Sequence, residues 1–177
     1  MQSNENQVPK FAAWESSHFY RLLWLFVAAF GLHIVEESAG FSSWVKDTLK
    51  GDIDIKSFYI NNAGFMLLLV ALTALAARKK SNLTLWLLFF WVSGQQFWNF
   101  IFHMYTQFHF RAYSPGYFTA LFLYFPIFLY LTYLALRERR LYFWQWGLAF
   151  CTGAFGMWFT IWAGLYHFAP FPWDQWF

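Results

Sequence analysis

Five apolar stretches of roughly 20 residues, each closed by a short polar connection, constrain this chain more than any other feature. They are Phe19–Ala39, Phe58–Ala77, Leu83–Met104, Gly116–Leu136 and Leu141–Tyr166. A run of that length spans the hydrocarbon core of a bilayer when helical. Lipid offers no hydrogen-bond partners, so a single segment must satisfy its own backbone and does so as a helix. Charge supports the same reading: 59% of residues are hydrophobic and only 12% are charged, against about 25% charged in a soluble domain. The expected fold is all-α, a polytopic integral membrane bundle of about five transmembrane helices. It forms a single domain over residues 18–177, behind a polar tail, Met1–Ser17, that is expected to fray. Pro126, inside the fourth stretch, predicts a kink rather than a break, because neighbouring helices can satisfy the carbonyl it frees.

Orientation follows from the connections. Arg78-Lys79-Lys80 separates the second and third stretches, Arg137-Glu138-Arg139-Arg140 separates the fourth and fifth, and Lys10 and Arg21 precede or open the first. The segment Gly40–Ser57 balances three lysines against Asp47, Asp52 and Asp54 and reads as a solvated loop. The loop after the third stretch holds only Arg111. The positive-inside rule then puts the N-terminus in the cytoplasm and the C-terminus outside. A multi-pass protein of the bacterial inner membrane is the expected setting. The first stretch ends in a histidine and two glutamates rather than a cleavage site, so it is expected to remain as a span. Asn82-Leu83-Thr84 fits a glycosylation acceptor but falls on the inner side. The net charge of +3 comes from segment ends and gives no nucleic-acid footprint. The lone Cys151 excludes an internal disulfide.

Polar residues inside the spans gather at one height. A mid-membrane carboxylate costs roughly 2.5–3.5 kcal/mol on insertion scales, and Glu36 and Glu37 are adjacent. Counted from Arg21, His33 stands about 18 Å up its helix and Glu37 about 24 Å. Counted from Leu83, Asn99 is also about 24 Å up. Gln96, Asn99 and His103 follow the i, i+3, i+7 spacing of one helical face. Asn61 and Asn62 open the second span from the same side. Independent defects would not be expected to coincide in depth.

The residue types suit a metal. His33 lies three residues before Glu36 and four before Glu37, so its imidazole can share a cation with either carboxylate. Imidazole nitrogen with carboxylate oxygen is the vocabulary of zinc and iron sites. The candidate ligands are His33, Glu37 and His103. Glu36 and Glu37 are the candidate catalytic carboxylates, whichever glutamate does not ligate being free to act as a base. Gln96, Asn99 and Tyr113 are candidates to orient the site or a substrate. No cofactor-binding residue beyond these can be named.

His33-x-x-Glu36-Glu37, Asn99-x-x-x-His103 and Tyr113-Ser114-Pro115-Gly116, in that order, resemble the HXXEE-domain family of small polytopic membrane proteins. The resemblance runs from about His33 to Thr119. It implies membrane location and an enzymatic site carried by His33, Glu36, Glu37, Asn99 and His103. A more distant likeness is to the glutamate-dependent intramembrane proteases related to prenyl-protein processing. Their pattern has an arginine four residues after the second glutamate, where this chain has Phe41.

Each feature also has an ordinary explanation. The glutamates could be a snorkelling helix end, His103 a bond between helices, and Gln95 and Gln96 helix-to-helix glue. Tyr113–Gly116 could be a turn into the fourth span, or a lip over the polar pocket. Two functions stand side by side. One is a metal-dependent membrane enzyme, a hydrolase acting on a lipid or other hydrophobic substrate in the outer half of the bilayer. The other is a non-catalytic subunit of a larger membrane complex, with His33 or His103 against a pigment or haem. Both need lipid as a partner.

Overall fold

The computed structural model describes residues 18–176; the polar tail Met1–Ser17 lies outside them. Among the described residues the chain is helical throughout, with no strand. Helix α1 is His18–Ser38 and α2 covers 41–49. They are followed by α3, Ile55–Lys79, α4 over 82–109, and α5, Tyr117–Arg137. Helix α6 is Phe143–Tyr166 and α7 a single turn, Trp173–Trp176. Helices α1, α3, α5 and α6 are long and apolar enough to cross a membrane. Their outward faces suit lipid: Val35, Leu67, Phe122 and Phe155 are each at least 64% exposed, which water would penalise.

Helix α4 carries Ser93, Gln95, Gln96, Asn99 and His103 and is the least apolar of the long helices, yet it runs the full height of the bundle. At its start Asn82 Nδ2 donates to Arg140 O (2.8 Å) beside the α5–α6 turn. At its far end Tyr105 stacks on Trp176 of the C-terminal turn. Its middle changes to i→i+5 hydrogen bonding over Ser93–Trp98. Close backbone approach accompanies the change. A Cβ on Gly94 would stand 2.9 Å from Gly153 O of α6, and one on Gly153 would stand 2.7 Å from Gly94 N. Ser93 Oγ donates to Ala149 O (2.6 Å), and the Trp86 and Trp98 indoles donate to Gln145 O and Phe150 O. Three side chains of α4 thus dock onto carbonyls of α6.

Helix α5 continues through Pro126, as expected. The turn before it, Ala120–Tyr124, widens to i→i+5 bonding, one of the ways a helix accommodates a local fault in its ladder.

The two ends of the bundle differ in charge. Lys80 and Arg140 lie over the rings of Phe19 and Tyr20 at the start of α1, so the cationic turns and the beginning of α1 share one end. The opposite end is closed by apolar packing. There the segment expected to be a solvated loop folds over 41–49 as α2, burying Trp44, Val45 and Leu49. Trp176 is buried among them, donating to Tyr166 Oη, which donates to Leu49 O (2.8 Å). Trp176 thus ties the C-terminal turn to that end of the bundle. Asp54 starts α3 as its N-cap, accepting from the backbone of Lys56 and Ser57 and from the Ser57 hydroxyl.

Candidate metal centre

Helix α1 presents His33 and Glu37 one turn apart on its inner face, and α4 brings His103 against them. All three are buried. Glu37 Oε1 stands 3.3 Å from His33 Nε2 and 3.4 Å from His103 Nε2. The imidazoles meet edge to face with centroids 4.9 Å apart. One ligand atom from each residue falls within 4.8 Å of the others. Ligands bonded to a tetrahedral ion at zinc distances are separated by about 3.3 Å, so both measured edges fit such a centre. His103 Nε2 is buried with no hydrogen-bond partner, an expensive state for a polar atom unless something else completes it. A buried group of His33, Glu37 and His103 could therefore hold a metal ion.

The outer nitrogens are held by hydrogen bonds. His33 Nδ1 lies 2.8 Å from Thr119 Oγ1, and that hydroxyl also donates to Glu36 Oε2 at 2.5 Å. With its one hydrogen committed to the carboxylate, Thr119 accepts from His33. The imidazole then carries its proton on Nδ1 and turns the lone pair of Nε2 toward Glu37, the tautomer a ligand requires. Asn99 Nδ2 is 3.2 Å from the same Nε2. On the other ring, His103 Nδ1 lies 2.9 Å from Ser114 Oγ, which accepts from Thr106 (3.1 Å). The Ser114 backbone N–H is in turn fixed by Gln107 Oε1.

Glu36 is turned away from the imidazole cluster. Its carboxylate accepts from Tyr113 Oη (2.6 Å), Phe118 N (3.1 Å), and Thr119 N (2.7 Å) and Oγ1. Two of these donors are first-turn N–H groups of α5, which have no partner inside their own helix. Glu36 therefore caps α5 from α1. Burial, and then the neighbouring carboxylate, pushes the Tyr113 phenol up to about 12, so it stays a donor at neutral pH.

Between these anchors the chain passes over the two imidazoles. Gly116 has φ +98°, and a Cβ there would lie 2.6 Å from His33 Cε1 and 2.8 Å from His103 Cε1. Only glycine lets the backbone lie that close in that conformation. Tyr113-Ser114-Pro115-Gly116 is thus both a turn into α5 and a lip over the cluster.

Residues 24–131, well over half of the chain, match the family described as protein of unknown function with HXXEE motif. The chain belongs to this family. No curated protein and no solved structure matches it. In this HXXEE protein the motif's histidine and second glutamate meet inside the bundle, while its first glutamate reaches outward to α5.

Beside the cluster a cavity of about 610 Å³ runs between α3, α4 and α6, with Glu37 and Asn99 in its wall. Most of the lining is aromatic or aliphatic. Helices α3 and α6 both pack on α4 and barely touch each other, which leaves the space. The adjacent glutamines of α4 in this HXXEE protein, Gln95 and Gln96, divide there. Gln96 is fully buried and donates from Nε2 to Phe26 O of α1 (2.8 Å), joining helices rather than orienting the site. Gln95 lines the cavity, and neither its amide nitrogen nor its oxygen has a partner. Sequence reasoning missed Thr119 and Tyr124. Tyr124 is buried with its ring 4.4 Å from that of His33. Nothing in the spacing marks it, whereas Thr119 closely follows the Tyr113–Gly116 motif.

Proposed function

We propose that this protein is a membrane-embedded, metal-dependent hydrolase acting on a lipid or other hydrophobic substrate in the outer half of the bilayer, with five crossings. The observation that carries it is the convergence of two imidazoles and one carboxylate next to a mainly apolar cavity. His33, Glu37 and His103 are the ligands, and zinc or iron the ions that donor set suits. Such an ion would supply Lewis acidity and a water acidic enough to deprotonate near pH 7. Hydrolysis adds the hydroxyl of water to an acyl carbon and delivers its proton to the leaving oxygen or nitrogen. Glu37 faces both imidazoles through Oε1, leaving Oε2 to hold that proton. Glu36 has no spare lone pair aimed at the cluster. It is a positioning residue, acting through Thr119 on the tautomer of His33.

Five crossings with the N-terminus inside rest on α4 running end to end and on the gathering of Lys80 and Arg140 around the start of α1. The metal cluster then lies toward the outside. A pigment or haem between the imidazoles is disfavoured, because Glu37 Oε1 already sits within 3.4 Å of both and Gly116 covers their edges.

Elemental analysis of the purified protein tests the reading. The expected result is about one equivalent of a divalent transition metal per chain, in keeping with three converging ligands. It should be lost in His33→Ala, His103→Ala and Glu37→Gln. Wild-type protein free of stoichiometric metal would remove the metal-dependent reading.

A further inference from the structure

The wall of the cavity has polar atoms that no protein group satisfies. The Gln95 carboxamide lies just behind that wall, covered even from a water molecule and with both ends unpartnered, so that a turn of the side chain presents it to the cavity; Gln95 lies one helical turn from Asn99, which touches His33. A buried amide without partners costs free energy unless a ligand completes it. Its donor and acceptor are both neutral. Among the lining residues the one ionisable side chain is Glu37, its Oε1 turned to the two imidazoles, so an anionic headgroup would be stripped of water with no cation to meet it, and a cationic one would meet only a carboxylate committed to the cluster. The rest of the wall is mainly apolar, with Asn61, Asn62, Thr152 and Thr160 the other polar residues in it. The cavity's volume falls in the range of small-molecule sites, about 300–1,000 Å³. It lies open along α6, where a Cβ on Gly156 would meet nothing within 4 Å.

From these features we infer that the cavity binds a neutral single-chain amphiphile. A hydroxyl or amide group of the ligand pairs with Gln95, about 6 Å along α4 from Asn99, and its chain lies along α6. This rests on the proposed hydrolase reading for its purpose: the scissile ester or amide would sit beside Glu37 and Asn99, with the second polar group at Gln95. Recognition itself needs neither metal nor turnover.

The test uses the full-length purified protein in detergent micelles and a non-hydrolysable ether, 1-O-hexadecylglycerol, with binding read from quenching of tryptophan fluorescence, Trp91 being part of the wall. Hexadecyl phosphate and hexadecyltrimethylammonium are the charged comparators. The neutral ether should bind saturably at one per chain and at least about tenfold more tightly than either ion. Gln95→Leu should weaken it about tenfold, the loss of one buried hydrogen bond, while raising or preserving the melting temperature of the unliganded protein. Gly156→Leu, which fills open space, should abolish binding with metal content unchanged. Equal or tighter binding of a charged chain would overturn the inference, as would binding indifferent to Gln95→Leu and Gly156→Leu. Saturable ether binding in protein that holds no metal would leave this assignment standing and sink the hydrolase's metal. Full metal content with no ether binding would do the reverse.

Discussion

The imidazole cluster and the cavity beside it share a wall but are built on opposite terms. Around His33 and His103 almost every polar atom is accounted for: each Nδ1 has a hydroxyl, and Glu36 has four donors. Among the exceptions, the Tyr124 hydroxyl and His103 Nε2, the second points into the cluster. Across Asn99, Gln95 has no partner at all. A satisfied shell fixes geometry, whereas an unsatisfied wall offers binding. The difference teaches that the outer nitrogens of the imidazoles are protein-determined, while the cavity is completed from outside.

The largest effect that could break this contrast is at Gly116. Alanine there must adopt positive φ and place its methyl against both imidazoles. Together the strain and the clash should cost about 2–5 kcal/mol, read as a fall in denaturation midpoint with loss of bound metal. A Gly116→Ala protein with unchanged stability would mean that the lip is not packed on the rings.

Next comes Glu36→Gln. It keeps the shape but removes the charge that receives the Thr119 and Phe118 donors and sets the His33 tautomer. Metal affinity should fall about 10- to 100-fold, with the metal restored at saturating concentration. A ligand or base role for Glu36 would not be rescued in that way.

The adjacent glutamines then give opposite signs. Gln96→Leu removes a buried bond to α1 and should destabilise by about 1 kcal/mol, whereas Gln95→Leu should be neutral or stabilising. Equal losses at both positions would erase the distinction between joining and binding residues. The smallest effect is expected at Tyr113→Phe. It deletes one half-exposed donor to Glu36, so thermal melting should show less than about 1 kcal/mol and metal content should not change.

The long apolar runs made the bundle legible, because length and hydropathy are what a bilayer tests. The coincidence in depth of Glu37 and Asn99 was legible for the same reason, both standing the same number of residues from the inner ends of their helices. Rotation around the helix was partly legible: the i, i+3, i+7 spacing grouped Gln96 with Asn99 and His103, and all three meet α1, at Phe26 O, His33 and Glu37. The place of Gln95 on the cavity wall beside Asn99 was not, because the i→i+5 turn over Ser93–Trp98 adds a residue to the repeat there. The segment 41–49 was misread because its charges sit on the exposed side of a short helix whose other side, Val45 and Leu49, is fully buried. The role of Glu36 could not be read at all, since its partners lie about 80 residues away.

The unequal character of the helices also bears on how the protein is made. With its run of serine, amides and histidine, α4 has the least tendency of the long helices to leave water by itself. Only residues 80 and 81 separate it from α3. On the five-crossing reading, the two enter the membrane together as a hairpin. The polar stripe of α4 finds shelter when α1 and α6 close around it, so on that reading assembly of the imidazole cluster is also the step that commits the chain to the bilayer.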